Sequence, residues 1–241
     1  MIFSLGSTSY LLEKNSGWNY LSKEKNLYFS KFGDIFSIKE FKNKKNLIYI
    51  NLLFVNDLIN LGTSKNFKFK KKNFYQILKK LKYNLENTER PIIVGISDYS
   101  YNNIIESAQK IKIEKKIKSY FLNEFYKLTK KNKNLYVLDI DEIFSTHGIE
   151  KCFDSRNFIL SRCRISSLGI EVIAKSLKKI ANRIFKSSKK ALLLDCDNTL
   201  WGGVIAEDGI NKIKIGEEGV GLAFLEFQKA VKRLKDQGIL I

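Results

Sequence analysis

Residues Lys190-Ala191-Leu192-Leu193-Leu194-Asp195-Cys196-Asp197-Asn198-Thr199-Leu200-Trp201-Gly202-Gly203 join an unbroken apolar run to two carboxylates, a threonine and paired glycines. A run of Ala and Leu without polar alternation predicts a short strand covered on both faces, as in a parallel sheet. Ligands of open α/β sheets sit beyond the carboxyl ends of the strands. That rule puts Asp195 and Asp197 where chemistry takes place in such folds. Two acids at the end of a buried strand are costly unless a cation or a proton offsets them. The pair therefore reads as a metal and phosphoryl-transfer site.

The residue types suit that chemistry. A carboxylate can attack phosphorus and form an aspartyl-phosphate, which splits one hard step into two; Asp195, at the strand end, is the candidate nucleophile. Side chains alternate along an extended chain, so an acid two residues on points the same way. Asp197 is then the candidate general acid and base, a role worth a factor of ~100 to 10,000 in rate. A Mg²⁺ ion prefers carboxylate, carbonyl, water and phosphate oxygens. The plain structural alternative is a strand ending in a capped turn, with Asp197 and Asn198 as turn formers.

The string DCDNT matches the D-x-D-x-T signature of the haloacid dehalogenase (HAD) superfamily, and LLLDCDNTLWGGVIAEDG resembles its subclass IIIC, FkbH-like family more closely. The similarity continues through Gly219, Phe224, Leu225, Gln228, Leu234 and Gly238; Ala206 departs from it, where relatives often carry Gly. The resemblance implies that the Asp195 side chain and the Asp197 backbone carbonyl hold Mg²⁺. It implies that Thr199 orients the loop or Asp197. Trp201, Gly202 and Gly203 would belong to the loop and flap region that governs substrate access.

After the motif, Phe224, Phe227, Val231 and Leu234 recur at helical spacing within Val220 to Gln237. Gly238 fits a helix stop, and Ile239-Leu240-Ile241 reads as the start of the next strand. In HAD enzymes the phosphate-binding Ser or Thr, a Lys and further metal-binding acids come later than this. The expectation is a truncated, Rossmann-like HAD domain over 187–241 with little or no phosphatase activity of its own.

Upstream, strands and helices alternate. Ile2-Leu5, Leu47-Ile50, Pro91-Ile96 and Leu135-Asp139 read as strands. Phe74, Ile77, Leu78 and Leu81 mark one helix, a polar-faced helical region runs to about Lys133, and Ile173, Leu177, Ile180 and Ile184 mark a closing helix. This is the rhythm of a βαβ sheet with its own core. The short polar joint 186–190 divides residues 1–186 from 187–241. By resemblance the first segment is an SGNH-hydrolase-like domain, which makes the fold class α/β throughout. The string Gly6-Ser7-Thr8-Ser9 follows the first strand, where an SGNH serine would sit. Where such hydrolases read D-x-x-H, this chain has Ser161 and Arg164 at the two positions.

A Ser-His-Asp site needs a His to accept the serine proton. The chain's one His is His147, expected in a loop after Ile143-Phe144. The amino-terminal segment therefore reads as a binding module. Asp154, Arg156, Arg162 and Arg164 form either an anion-holding cluster or a surface ion-pair cluster.

Composition narrows the partners. The formal net charge is +18, from 43 Lys and Arg against 25 Asp and Glu. From Lys189 onward the count is eight basic and eight acidic, so the whole excess, 35 against 17, lies upstream. Six of the basic residues are Arg, whereas bidentate phosphate and base recognition favours Arg. The runs Lys42-Asn43-Lys44-Lys45 and Lys68-Phe69-Lys70-Lys71-Lys72 read as solvated faces. The composition argues against nucleic acid, though it would attract an acidic partner.

No apolar run approaches the ~18 to 20 residues of a membrane span, and no basic leader with a cleavage site is evident. Cys152, Cys163 and Cys196 lack metal-type spacing and suggest reduced thiols in a cytoplasmic protein. Cys196 reads as a small buried strand residue.

The resulting expectation is Mg²⁺-dependent transfer from a phosphorylated small molecule. Family resemblance adds glyceryl or acyl loading on an acyl carrier protein. The alternative is a non-catalytic basic module that binds an acidic carrier protein or nucleic acid.

Overall fold

The structure is a computed structural model that describes residues 1–22, 26–31, 34–36, 46–62, 71–99, 108–186 and 189–241, with backbone alone at 59–62, 71–73 and 108–110. The chain divides into two compact units, Met1–Phe185 and Lys186–Ile241. The basic run at 42–45 lies outside the described residues, as does 68–70 of the second run.

Unit 1 is a doubly wound α/β sheet. Its strands are β1 (Ile2–Ser7), β2 (Leu27–Phe29), β3 (Leu47–Phe54), β4 (Ile92–Ser97) and β5 (Leu135–Asp139). All pair in parallel in the order β2-β1-β3-β4-β5, the strand order of flavodoxin-type sheets. The helices are α1 (Val55–Gly62), α2 (Lys71–Asn87), α3 (Ala108–Thr129), α4 (Ile140–Ser145), α5 (Ile149–Cys152), α6 (Ser155–Ser161) and α7 (Ser167–Phe185).

Strand alternation sorts the core into two layers. Ile48, Ile50, Leu52 and Phe54 join Phe3, Leu5 and Ile93 in one cluster with Ile170, Ile173 and Leu177 of α7. Leu47, Tyr49 and Leu53 join Ile92, Val94 and Ile96 in the other, with Phe74, Leu78 and Leu81 of α2 and Ile117, Phe121 and Phe125 of α3. Every residue of β3 and β4 is buried, which is why both read as apolar runs.

The sequence places β3 too short. Asn51 lies inside the strand with 5% exposure. Its Oδ1 accepts from Phe36 N at 2.7 Å, and Asn84 Nδ2 donates to Phe36 O at 2.6 Å. The two asparagines hold Phe36 at φ +60°, so this buried amide is paired rather than a strand end. Similarly, β1 runs on to Ser7. The strand expected from Pro91 begins at Ile92, with Pro91 O accepting from Tyr49 N, and α3 ends at Thr129 rather than Lys133.

Unit 2 contains α8 (Ile205–Asp208) and α9 (Gly219–Asp236), the latter within one residue of its expected bounds. Gly238, at φ +87°, follows it. Ala191 and Leu240 form a parallel bridge, with Leu192 N to Leu240 O at 2.8 Å and Leu240 N to Lys190 O at 2.9 Å. The apolar run is not covered on both faces among the described residues. Exposure alternates along it, with Leu192 and Leu194 half-buried and Ala191, Leu193 and Asp195 open. Leu193 is 99% exposed. One face is packed and the other meets solvent, where the sequence pattern of a two-sided strand anticipates a second layer.

Candidate functional site

The two aspartates of unit 2 are held differently. Asp195 is exposed, and its Oδ1 accepts from Cys196 N at 2.7 Å. Asp197 is half-buried, and its Oδ1 accepts from Trp201 Nε1 at 2.9 Å and Ile205 N at 3.3 Å. Neither carboxylate is in an ion pair among the described residues. In each, the second oxygen stands outside these bonds. A hard divalent cation takes such oxygens, and the two carboxylates stand without a third His, Cys, Asp or Glu grouped with them among the described residues.

The loop that carries them is built tightly. Cys196 O accepts from Thr199 N and Leu200 N at 3.2 and 2.8 Å, which turns the chain back after the aspartates. Asn198 sits at φ +54°, a region Asn tolerates. It ties the loop closed, with Asn198 N to Gly203 O at 3.2 Å and Gly203 N to Asn198 Oδ1 at 2.8 Å. Gln228 of α9 donates to Leu200 O at 2.7 Å.

The paired glycines have separate reasons. A Cβ at Gly202 would stand 2.8 Å from Phe224 Cε2, and Gly203 adopts φ +104°, a conformation open to Gly. Asp208 Oδ2 accepts from Val204 N at 2.9 Å, so this motif acid closes the α8 turn. Ala206 lies on that exposed turn.

The structure thus brings Asp197, Trp201, Gly202 and Gly203 into one bonded loop. Thr199 joins it through its backbone, and its hydroxyl makes no hydrogen bond among the described residues. Cys196 is exposed rather than buried. Its place in the turn, beyond the bridged segment, takes it out of the layer where a strand residue would pack.

In unit 1, Asp154 caps α6 by accepting from Asn157 N at 3.0 Å. Arg164 Nη2 donates to Asp57 Oδ1 at 2.8 Å and its guanidinium lies 4.1 Å over Phe158. Arg156 and Arg162 are exposed. The expected Arg cluster is therefore not one anion site, because Arg164 is already neutralised by Asp57, a residue that sequence reading missed. His147 is exposed between α4 and α5, with Nδ1 at 2.8 Å from Thr146 Oγ1 and 3.2 Å from Ile143 O. Cys152 and Cys163 are buried, and burial pushes both thiols up.

Sequence reading also missed a charge cluster at the ends of β4 and β5. Lys118 Nζ lies 2.8 Å from Asp139 Oδ1, 2.7 Å from Asp141 Oδ2 and 3.3 Å from Asp98 Oδ1. Ser97 Oγ donates to Asp141 Oδ1 at 2.6 Å. Burial and a hydrogen bond with Asp141 push Asp98 up to about 6. Burial works against the charged form of Asp141, but hydrogen bonds from Asp98, Lys118 and Ser97 hold it below the usual range. Acids directly after apolar runs were the available signal, the same one that marks Asp195. Lys118 thus supplies the cation that all three carboxylates share.

No helix is long and apolar enough to cross a membrane among the described residues. No protein-family model and no curated protein matches the chain. Among solved structures, the chain is similar to the N-terminal part of protein BF1531 from Bacteroides fragilis, a crystal structure containing a phosphatase domain complexed with Mg. The TM-score is 0.71 at 21% identity, covering 99% of this chain and 67% of that one, a likeness that establishes a shared α/β fold.

Proposed function

We propose that unit 2 carries a Mg²⁺-dependent phosphoryl-transfer centre of HAD type, nearest to the FkbH-like kind, acting on a phosphorylated small molecule. The observation that carries this reading is the restraint of Asp197 through one oxygen, two residues beyond an open Asp195. Asp195 attacks the phosphorus as the bond to the leaving oxygen breaks, and Asp197 gives that oxygen its proton. Asp197 then takes a proton from water, which attacks the aspartyl-phosphate and releases phosphate. Mg²⁺, held by Asp195 and the Asp197 carbonyl, would offset negative charge. The fold likeness to a structure with a Mg-complexed phosphatase domain supports the reading. No Lys or Arg pairs with either carboxylate among the described residues, so a divalent cation would meet no competing ion pair there. Glyceryl or acyl loading on an acidic carrier protein is the finer extension of this proposal.

The test is a Mg²⁺ titration of the ¹⁵N-labelled chain, with phosphomonoester hydrolysis measured alongside. Mg²⁺ is expected to shift the amides around Asp195 to Gly203 saturably, and Asp195→Asn to abolish the shifts with folding intact. Shifts that survive Asp195→Asn, or robust turnover that survives it, overturn the assignment.

A further inference from the structure

In the order β2-β1-β3, the chain leaves β1 toward one side of the sheet and returns at β3 on the other. The carboxyl ends of β1 and β3 therefore flank a topological switch point, where open α/β sheets bind ligands. Thr8 fastens these two ends. Its N–H donates to Leu52 O at 3.0 Å, and its Oγ1 accepts from Phe54 N at 2.7 Å. This fixes the backbone of Ser9, next in sequence, against the first turn of α1, where Asp57 stands. Arg164 reaches Asp57 from the loop after α6, and Phe158 fixes its guanidinium plane.

These three side chains are incompletely bonded. Ser9 is 4% exposed, and Ser9 Oγ, Asp57 Oδ2 and Arg164 Nε are buried with no hydrogen-bond partner among the described residues. The Ser9 hydroxyl is close enough to favour the charged form of Asp57, yet outside the geometry of a formed bond. An unsatisfied buried polar group costs about 1–3 kcal/mol, and native proteins keep few of them. Arg–carboxylate pairs commonly close both legs. Here one leg is made and the other stands open, with its donor and its acceptor both unused. Ser9 also forms part of the wall of a cleft of ≈ 120 Å³, whose lining includes Ser7, Tyr10, Glu13, Phe29 and Lys31.

We infer that Ser9, Asp57 and Arg164 form a second ligand site in unit 1, built for a compact neutral group of carboxamide type. The complementarity sets the class. Arg164 Nε–H donates to the amide oxygen, Asp57 Oδ2 accepts an amide N–H, and Ser9 Oγ serves either. A carboxylate ligand would set a second negative charge beside Asp57, whose Arg164 partner is already paired. This site stands independently of the phosphoryl-transfer reading of unit 2.

The test follows the Arg164 Nε–H resonance of the ¹⁵N-labelled 241-residue chain during titration with acetamide and, separately, sodium acetate. Acetamide is expected to shift it saturably together with the Ser9 and Asp57 amides, and acetate to bind at least about tenfold more weakly. Ser9→Ala removes an unsatisfied hydroxyl, so the thermal midpoint should hold or rise while acetamide affinity falls at least about fivefold. Failure of acetamide to saturate, equal binding of acetate, or an affinity unchanged in Ser9→Ala overturns the proposal; these outcomes would mean an ordered water only, an anion site or a purely structural trio.

Discussion

The indole Nε1 of Trp201 donates to Asp197 Oδ1 at 2.9 Å, and the same oxygen accepts from Ile205 N at 3.3 Å. One carboxylate oxygen thus ties the start of the loop to its end. Trp201→Phe keeps the ring and removes the donor. A half-exposed bond of this kind is worth about 1 kcal/mol, so hydrogen exchange at the Ile205 amide should quicken about fivefold. Exchange in β3 and β4 should not change. Unaltered exchange at Ile205 would show that the indole bond does not restrain Asp197.

The pH dependence of unit 1 follows from Asp98. Burial and the Asp141 hydrogen bond raise it to about 6 from an ordinary value of 3.8. The fold therefore binds this proton more tightly than the unfolded chain does. The resulting stability is fully present below about pH 4 and is lost as pH rises through about 6. Asp141, held low, works in the opposite sense, and its contribution is lost as pH falls below the unfolded value. Two pKa units correspond to ~3 kcal/mol; partial exposure of Asp98 reduces this to about 1–2 kcal/mol. Urea unfolding between pH 4 and 6 should show stability falling with pH, and Asp98→Asn should flatten that slope. A slope that persists in Asp98→Asn assigns the proton elsewhere, with Asp57, also raised by burial, the next candidate.

Much of unit 1 was legible because its central strands are buried on both sides. Leu135–Asp139 and the closing helix α7 follow directly from apolar runs and helical spacing. Three-residue β2 and the short α4, α5 and α6 were not legible. They depend on capping bonds and on pairing partners distant in sequence, as with Asp139 accepting from Asp141 N and Glu142 N. The Asp57–Arg164 pair joins residues 107 positions apart, a relationship that no local pattern carries. In unit 2 the motif residues were legible as a string, but their division of labour was not. Asp208, an acid of the motif string, accepts from the loop amide of Val204. Leu193 carries the pattern of a covered strand and is open on one face, since local pattern does not say what lies opposite.

Gly202 and Gly203 are adjacent glycines that should fail for different reasons when substituted. A Cβ at Gly202 meets Phe224 Cε2 at 2.8 Å and Lys214 Cβ at 3.1 Å, so Gly202→Ala overpacks the contact between the loop and α9 at a cost of about 1–3 kcal/mol. Shrinking the ring makes room, and Phe224→Leu should recover most of the loss. The two changes should therefore be coupled in a double-mutant cycle. Gly203→Ala instead forces an L residue to φ +104° and sets its Cβ 2.9 Å from Asp208 Oδ2, a backbone strain of about 1–3 kcal/mol. Phe224→Leu offers no relief there, and those two changes should be additive. The ¹⁵N-indole signal of Trp201, one of two tryptophans, reports unfolding of unit 2 in each variant. Additivity at Gly202, or rescue of Gly203→Ala by Phe224→Leu, would contradict this account of how α9 braces the loop.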